Sequence, residues 1–340
     1  MSAAITDHST YHYRTEFHGT DGPIHTSFNE SKLPIEDDFI KACNESMSVS
    51  SPADAWSGSH LGFTTGLGAI SRGPGNRGKR SYAVNYLNGK SAKNLKVLCE
   101  ALVNRVNLDG NKATGANFTY DGKQYDITAS KEVIVSGGAV NSPQILELSG
   151  IGDPKVLEKA GVELKVENKG VGINVQDHAA TSLCADVKPG VFVIDRFAQE
   201  PETVQAMVGE YMTSGTGFFS NVFAVTGFIP FKTLVSEAEF KQTIQSIKDV
   251  QPTSDFHRKQ LDEIVKQLES ETSANIQVAF FPLTWTIANK AEHQGDNRPR
   301  LDGTAGITFV ICIEYPVSRG SIHITSSGTG GFRFRTDEMF

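Results

Sequence analysis

Apolar residues recur every three to four positions in four segments of the chain, which is the spacing of one face of an α-helix. In the first of these segments, Ile35, Phe39 and Ala42 fall on one face. We therefore expect four amphipathic helices. They are KLPIEDDFIKACNES (residues 32–46), EPETVQAMVGEYM (200–212), SEAEFKQTIQSIKDV (236–250) and SDFHRKQLDEIVKQLES (254–270).

Other segments have the composition and alternation of β-strands. ATGANFTY (113–120) and KQYDITA (123–129) flank Asp121-Gly122, a pair that fits the positive φ angles of a type I′ hairpin turn. Past residue 180, strands alternate with the helices and predict an α+β region with an antiparallel sheet. These strands are NIQVAFFPLTW (275–285), GITFVICIEYP (306–316) and GSIHIT (320–325).

The middle of the chain combines apolar runs with glycine turns. NLKVLCEALVNRVNL (94–108) opens like a strand and ends in apolar alternation, and KEVIVSGG (131–138) reads as a short buried strand that ends at two glycines. The next segment predicts a helix that Ser142 caps, with Pro143 at its first position and Gly150 at its end. A second short helix, DPKVLEKAG (153–161), and a strand, VELKVE (162–167), follow.

From these residues alone, two interpretations of the glycine turn are equally supported. It either makes a tight strand–helix connection or lets a ligand approach the backbone closely. By contrast, GPGNRG (73–78) has the G-x-G-x-x-G spacing but follows no strand, so we interpret it as an ordinary solvated loop.

Composition excludes several classes of function. The formal net charge of −7 over 340 residues argues against a nucleic-acid partner, because such proteins need a surplus of Lys and Arg. No run of about 18 apolar residues occurs, so we expect no membrane span. The first residues lack the basic and apolar regions of a signal peptide, and the sequence assigns no compartment.

Candidate chemistry is also limited. Cys43, Cys99, Cys184 and Cys312 are far apart, so we expect neither a metal site nor a disulfide framework. Neither a G-x-S-x-G elbow nor an H-E-x-x-H motif occurs. His12, His18 and His25 are typical of polar surface, and Asp177-His178 is interpreted as part of a loop.

The motifs, taken in order, resemble the glucose-methanol-choline (GMC) family of flavin oxidoreductases. GAVNSPQILELSGIG (138–152) is similar throughout to the family's second signature, in which a small-residue pair, Ser/Thr-Pro and two aliphatics precede Ser-Gly-aliphatic-Gly. Six further elements occur in the family's order. They are DGPIHTSF (21–28), GKRSYAVNYL (78–87), NLKVLCEALVNRV (94–106), KEVIVSGGA (131–139), GVGINVQDH (170–178) and YPVSRGSIHI (315–324).

The resemblance implies an α/β FAD-binding portion of the dinucleotide-binding type and an α+β substrate domain with an antiparallel sheet, both incomplete. The implied cofactor is FAD and the implied substrate a small-molecule alcohol. Val103 matches a valine whose backbone recognises adenine, and Ser136, Gly137 and Gly138 match a stretch against the ADP part. The implied domains are residues 1–90 (substrate-domain and linker elements), 91–180 (FAD-binding), 181–325 (substrate domain) and 326–340 (a divergent tail).

The chain departs from the family at both ends. The family's N-terminal G-x-G-x-x-G and its C-terminal catalytic His pair have no match, so we assign no catalytic residue, and neither His293 nor His323 takes that role. We therefore expect the central part of a family member, inactive and weak in FAD binding as it stands. A hydroxynitrile-lyase-like FAD protein, a non-catalytic remnant and an unrelated α/β module are the alternatives.

The substrate is not encoded in a motif. GTGFFSNVFAVTGF (215–228) occupies the place where the family often lines its substrate cavity, and Phe218, Phe219 and Phe223 would favour an aromatic or apolar alcohol. Rings of this kind are more often part of the ordinary core.

Overall fold

The computed structural model describes residues 11–87, 93–222, 225–285, 300–329 and 332–335. The chain forms two compact units, residues 1–90 with 178–315 and residues 91–177 with 316–340. Residues 316–325, which the sequence analysis assigns to the substrate domain, therefore group with residues 91–177. The functional division into an FAD-binding and a substrate domain stays a prediction.

The secondary structure alternates between helices and strands along the chain. The helices are α1 (Pro34–Met47), α2 (Gly138–Leu148), α3 (Pro154–Ala160), α4 (Ile194–Ala198), α5 (Pro201–Ser214), α6 (Glu237–Lys248) and α7 (Asp255–Glu269). The strands are β1 (Gly62–Thr65), β2 (Leu102–Asp109), β3 (Lys112–Tyr120), β4 (Lys123–Thr128), β5 (Ile151–Gly152), β6 (Val166–Glu167), β7 (Ala180–Asp186), β8 (Val225–Ile229), β9 (Ile276–Phe281), β10 (Gly306–Ile313), β11 (Ser321–Ile324) and β12 (Phe332–Arg335).

A five-stranded antiparallel sheet is the centre of the first unit. Its spatial order is β1-β8-β9-β10-β7, so β1 and β7 lie at its two edges among the described strands. Side chains alternate between its faces because successive residues of a strand point in opposite directions. The predicted antiparallel sheet is confirmed.

One face of this sheet packs against α1. The Phe39 ring stacks on that of Phe280 with centroids 4.2 Å apart and meets the Phe63 ring edge-on at 5.7 Å. The Phe63 ring lies over Gly227, where a Cβ atom would come within 2.2 Å of a ring carbon. Glycine at position 227 is therefore a packing requirement.

Side-chain caps mark the starts of the predicted helices α6 and α7. The Ser236 hydroxyl accepts a hydrogen bond from the Glu239 amide, and the Glu239 carboxylate accepts one from the Ser236 amide, which starts α6. Ser254 caps α7 in the same way through the His257 amide. The apolar faces of both helices are buried, at positions including Ile247 and Leu261.

The second unit contains a three-stranded antiparallel ribbon, β2-β3-β4. Asp121 and Gly122 connect β3 to β4 with φ angles of 49° and 70°, as the predicted type I′ turn requires. Helix α2 packs against β2 and β11. The Ser149 hydroxyl after α2 accepts a hydrogen bond of 2.8 Å from the Val106 amide, which ties the helix end to β2.

A buried carboxylate fixes β11 to α2. Glu147 is fully buried, and its carboxylate accepts hydrogen bonds from the Ile324 amide (2.8 Å) and from His323 Nδ1 (2.6 Å). Leu157 and Ala160 of α3 pack with Ile324 in one buried apolar cluster. The predicted α3 is confirmed, with Asp153 as its cap and Gly161 in the left-handed conformation at its end.

Two predicted strands are wrong. Residues 132–137 of KEVIVSGG have no regular secondary structure, and the Ile134 side chain is 76% exposed. The opening of NLKVLCEALVNRVNL is likewise irregular up to β2, and Leu95, Val97 and Leu98 are exposed. A strand needs a hydrogen-bonded neighbour, and within the described part of the chain no strand pairs with either run.

The start of α2 also differs from the prediction. The helix begins at Gly138, so Ser142 is not its cap and Pro143 lies inside it. Proline has no backbone N–H group, so α2 lacks the hydrogen bond that this position would make to the carbonyl four residues earlier. The predicted end is close to correct, because Gly150 follows with a φ of 85°.

The described fold is a mixed α/β structure with antiparallel sheets. Its parallel pairing, within the described residues, is limited to β5 and β6. No helix in the described ranges has the length and apolar character needed to cross a bilayer.

Candidate functional site

Val103, the predicted adenine-contacting residue, lies on β2 opposite Phe118 of β3. The strand register shifts immediately after it, so that Asn104 forms a bulge. The side-chain Nδ2 of Asn104 donates hydrogen bonds to Asn117 Oδ1 (2.9 Å) and to Thr119 Oγ1 (3.0 Å). These contacts hold the bulge in place. A bulge interrupts the ladder and is a common feature beside binding sites.

Ser136, Gly137 and Gly138 lie together at the start of α2, and all three are exposed. Gly137 is the N-cap residue and no side chain caps the helix, so the first amides of α2 remain available to a ligand. Gly138 has a φ of 80°, and a Cβ atom added there would meet nothing within 4 Å. The backbone at Gly138 is therefore open to close approach.

The four predicted cofactor residues belong to one unit, because α2 packs against the strand that carries Val103. Exposed backbone amides at a helix start suit phosphate oxygens. The residues present therefore fit the ADP part of FAD. Their assignment to the cofactor stays a prediction.

A cavity of about 500 Å³ lies in the first unit. Its floor is the face of the sheet opposite α1, where Thr226 and Phe228 of β8 face Ala279 and Gln277 of β9 across the ladder. The exposed Trp56 ring forms part of its wall, together with His60, Leu67 and Val222. Gln277 Nε2 lies 3.5 Å from Thr226 Oγ1, so polar groups stand among apolar ones on this floor.

A second cavity, of about 240 Å³, shares Trp56 and Leu67 with the first. Its lining includes residues of the segment HGTDGPIHTSF (18–28), among them His18 and His25. His18 Nε2 lies 2.7 Å from the carboxylate of the buried Asp54. The interpretation of His18 as plain surface is therefore wrong, since its side chain is only 9% exposed.

Asp54 is a buried carboxylate beside these cavities that accepts several hydrogen bonds. Burial disfavours its charged form, but hydrogen bonds from the Arg14 amide, from His18 and from the Trp56 amide outweigh that effect and lower its pKa below the usual range. Asp54 therefore stays ionised and orients His18. Sequence spacing gives no sign of this pair because 36 positions separate its members.

The predicted aromatic lining lies elsewhere. Phe218 packs on the core cluster of Leu33, Ile194, Phe197 and Leu283, and the exposed Phe219 ring borders, with Phe218, a separate cavity of about 350 Å³. Neither ring lines the cavity on the sheet. Phe223 lies outside the described residues, as does His293. His323 Nδ1 lies 2.6 Å from Glu147 Oε1.

A sequence model described as GMC oxidoreductase matches residues 3–180, which is more than half of the chain. The chain belongs to the GMC oxidoreductase family. The predicted resemblance is confirmed, and members of this family are FAD-dependent oxidoreductases.

Curated relatives extend the match beyond residue 180. The chain is 34% identical over 329 residues to Dehydrogenase mpl7 of Monascus purpureus, covering 91% of this chain and 52% of that protein. It is 37% identical over 166 residues to the mitochondrial choline dehydrogenase of Homo sapiens, covering 48% of this chain and 27% of that protein. This GMC chain spans about half the length of the Monascus relative.

Solved structures share the fold. A FAD-dependent oxidoreductase from Chaetomium thermophilum superposes with a TM-score of 0.77 at 21% identity, covering 93% of this chain and 53% of the other. A fungal aryl-alcohol oxidase superposes with a TM-score of 0.74 at 18% identity, covering 98% and 56%. At these identities the likeness is one of fold.

Proposed function

We propose that this chain is part of an FAD-dependent oxidoreductase that acts on the CH–OH group of an alcohol. The observation that carries the proposal is the open, glycine-started helix α2 in a chain of the GMC family. Its exposed amides and the positive φ of Gly138 suit the ADP part of the cofactor. When bound, FAD would accept the hydride from the alcohol carbon.

The chain's own contribution to this chemistry is binding and orientation. Val103, on its bulged strand, would hold the adenine side, and Ser136 to Gly138 would hold the phosphate side. The cavity on the sheet would receive the alcohol, with Thr226 and Gln277 as polar contacts and Trp56 and Phe228 as apolar ones. The two sets of residues belong to different units.

No residue of the described chain is proposed as the catalytic base. The alcohol proton needs a base within hydrogen-bond reach, and the family motif that supplies one has no match in this sequence. We therefore expect the 340-residue polypeptide to bind FAD weakly and to turn over no alcohol. Among the relatives, the aryl-alcohol oxidase and the choline dehydrogenase have names that indicate alcohol substrates, which supports the substrate class.

The test compares two glycines that share a conformation. Gly138 and Gly161 have φ angles of 80° and 72°, and a Cβ atom would meet nothing within 4 Å at either. Ala at either position therefore carries a similar backbone strain. If α2 receives the ADP part, Gly138→Ala lowers the affinity for FAD about tenfold, or about 1.4 kcal/mol, while Gly161→Ala leaves it unchanged.

Calorimetric titration of each variant with FAD measures this difference. Equal affinities of the two variants would remove the ADP part from α2. Tight stoichiometric binding by the unaltered chain would contradict the expected weak binding, while leaving the role of Gly138 to be decided by the variants.

A further inference from the structure

Three side chains of different chemistry converge at one end of the sheet in the first unit. They are the imidazole of His178, the thiol of Cys312 and the carboxylate of Glu314, and their donor atoms lie within 4.8 Å of one another. None of the three is used by the function proposed above.

The strand register explains why they meet. Strand β10 pairs with β7 so that Cys312 faces Ala180, and the Ile313 amide continues the ladder to the Ala179 carbonyl. The same register places His178 directly opposite Glu314. Because alternate residues share a face, Cys312 and Glu314 point to the same side as His178.

The observed contacts agree with this register. His178 Nε2 lies 3.5 Å from Glu314 Oε2. Cys312 is buried and faces Gln277 across the ladder to β9, so the cluster occupies the same sheet face as the larger cavity.

The second oxygen of Glu314 is the decisive observation. Glu314 Oε1 is buried and has no hydrogen-bond partner among the residues that the structure describes. Asn275 lies beside Glu314, but its side chain is engaged elsewhere. Its Oδ1 accepts a hydrogen bond from the Phe231 backbone amide (2.9 Å), and its Nδ2 donates one to the Gln267 carbonyl (3.1 Å). A buried oxygen without a partner commonly marks a position for a water molecule or an ion.

We propose that His178, Cys312 and Glu314 form a binding site for a divalent transition metal of the zinc type. Imidazole, thiolate and carboxylate are the zinc donors of proteins, whereas Mg²⁺ and Ca²⁺ prefer oxygen alone. A thiolate and a carboxylate together neutralise a divalent cation, and three protein ligands leave one position for water or a small ligand.

The geometry is close to what such a metal needs. Ligand atoms around tetrahedral zinc are about 3.3–3.8 Å apart, given metal–ligand distances of about 2.0–2.3 Å. The His178 side chain is 55% exposed, so rotation of its ring closes the remaining difference without moving the sheet. Binding converts the Cys312 thiol to a thiolate and releases its proton to solvent, and no oxidation or reduction is involved.

The experiment titrates the reduced, chelator-treated 340-residue chain with Co²⁺ and then displaces it with Zn²⁺. We expect one equivalent of Co²⁺ to give a thiolate-to-metal charge-transfer band, and one equivalent of Zn²⁺ to abolish it. His178→Ala raises the dissociation constant at least ~10-fold, and Cys312→Ser removes the band, because each deletes a ligand.

Matched controls separate this site from adventitious binding. Cys99 is an exposed thiol and His12 is an exposed imidazole, so Cys99→Ser and His12→Ala keep both the affinity and the band. If the buried Cys312→Ser variant does not fold, His178→Ala and Glu314→Gln decide the question. A titration without a one-equivalent end point, or an affinity that His178→Ala leaves unchanged, overturns the proposal.

Discussion

The two compact units differ in how much of their apolar surface is covered. In the first unit, β1 is buried throughout and α1 covers one face of the sheet with stacked aromatic rings. In the second unit, every residue of β4 is exposed, and so are Ile127 on β4 and Ile134 before α2. Apolar burial is therefore the larger source of stability in the first unit.

The second unit relies more on buried polar contacts. Glu147 joins α2 to β11, and Ser149 joins the end of α2 to β2. The first unit has a comparable contact in Asp54, which accepts hydrogen bonds from His18 and two backbone amides. A buried, hydrogen-bonded carboxylate therefore supplements a large apolar core in the first unit and a smaller one in the second.

Removing an aromatic ring from the first unit has the largest expected effect. Phe280 is buried and its ring stacks on that of Phe39. Phe280→Ala leaves a cavity under α1 and lowers the free energy of unfolding by about 3–5 kcal/mol. Urea denaturation followed by circular dichroism measures this loss.

The control for this change is an exposed ring. Phe256 on α7 is 64% exposed, so Phe256→Ala changes the free energy of unfolding by no more than about 0.5 kcal/mol. If both variants lost the same stability, the apolar core of the first unit would not be its main support.

Deleting the buried carboxylate of the second unit comes next. Glu147→Ala leaves the Ile324 amide and His323 Nδ1 without their acceptor, at a cost of about 3 kcal/mol. Hydrogen exchange at the Ile324 amide then becomes at least ~10-fold faster. Glu158→Ala, an exposed residue of α3, is the matched control and keeps the slow exchange. Unchanged exchange in Glu147→Ala would mean that β11 is held by its apolar contacts.

Local signals in the sequence predicted much of the fold. The apolar spacing of α6, the Asp121-Gly122 turn and the proline start and glycine end of α3 are each signals within a few residues, so the corresponding elements were predicted correctly. The family resemblance was also confirmed, because its motifs are short and occur in order.

The features that the sequence did not predict depend on contacts between residues that are distant in the sequence. An apolar run such as Val133 to Val135 indicates that residues suit burial, but the run does not identify the element that would cover it. The His18–Asp54 pair depends on the path of the chain between its members. The cluster of His178, Cys312 and Glu314 depends on the register of β7 against β10, which cysteine spacing does not reveal.

The smallest expected effect concerns the carboxylate of the first unit and depends on pH. Hydrogen bonds to Asp54 outweigh its burial and lower its folded-state pKa, so its ionised form stabilises the folded protein. This contribution, about 2 kcal/mol for the charge-assisted hydrogen bonds, is fully present above the unfolded-state pKa. It is lost as the pH falls through the lowered folded-state pKa.

Asp54→Asn keeps an oxygen acceptor but removes the charge. Its free energy of unfolding is therefore about 2 kcal/mol lower than that of the unaltered chain at neutral pH, and the two values converge as the pH is lowered through the folded-state pKa of Asp54. Urea denaturation over this acidic range measures the difference. Asp262→Asn, at an exposed position of α7, keeps the original pH profile. If the difference in free energy of unfolding stayed constant across the whole pH range, Asp54 would stabilise the fold through its packing and not through its charge. The comparison with Glu147 would then rest on hydrogen-bond geometry alone.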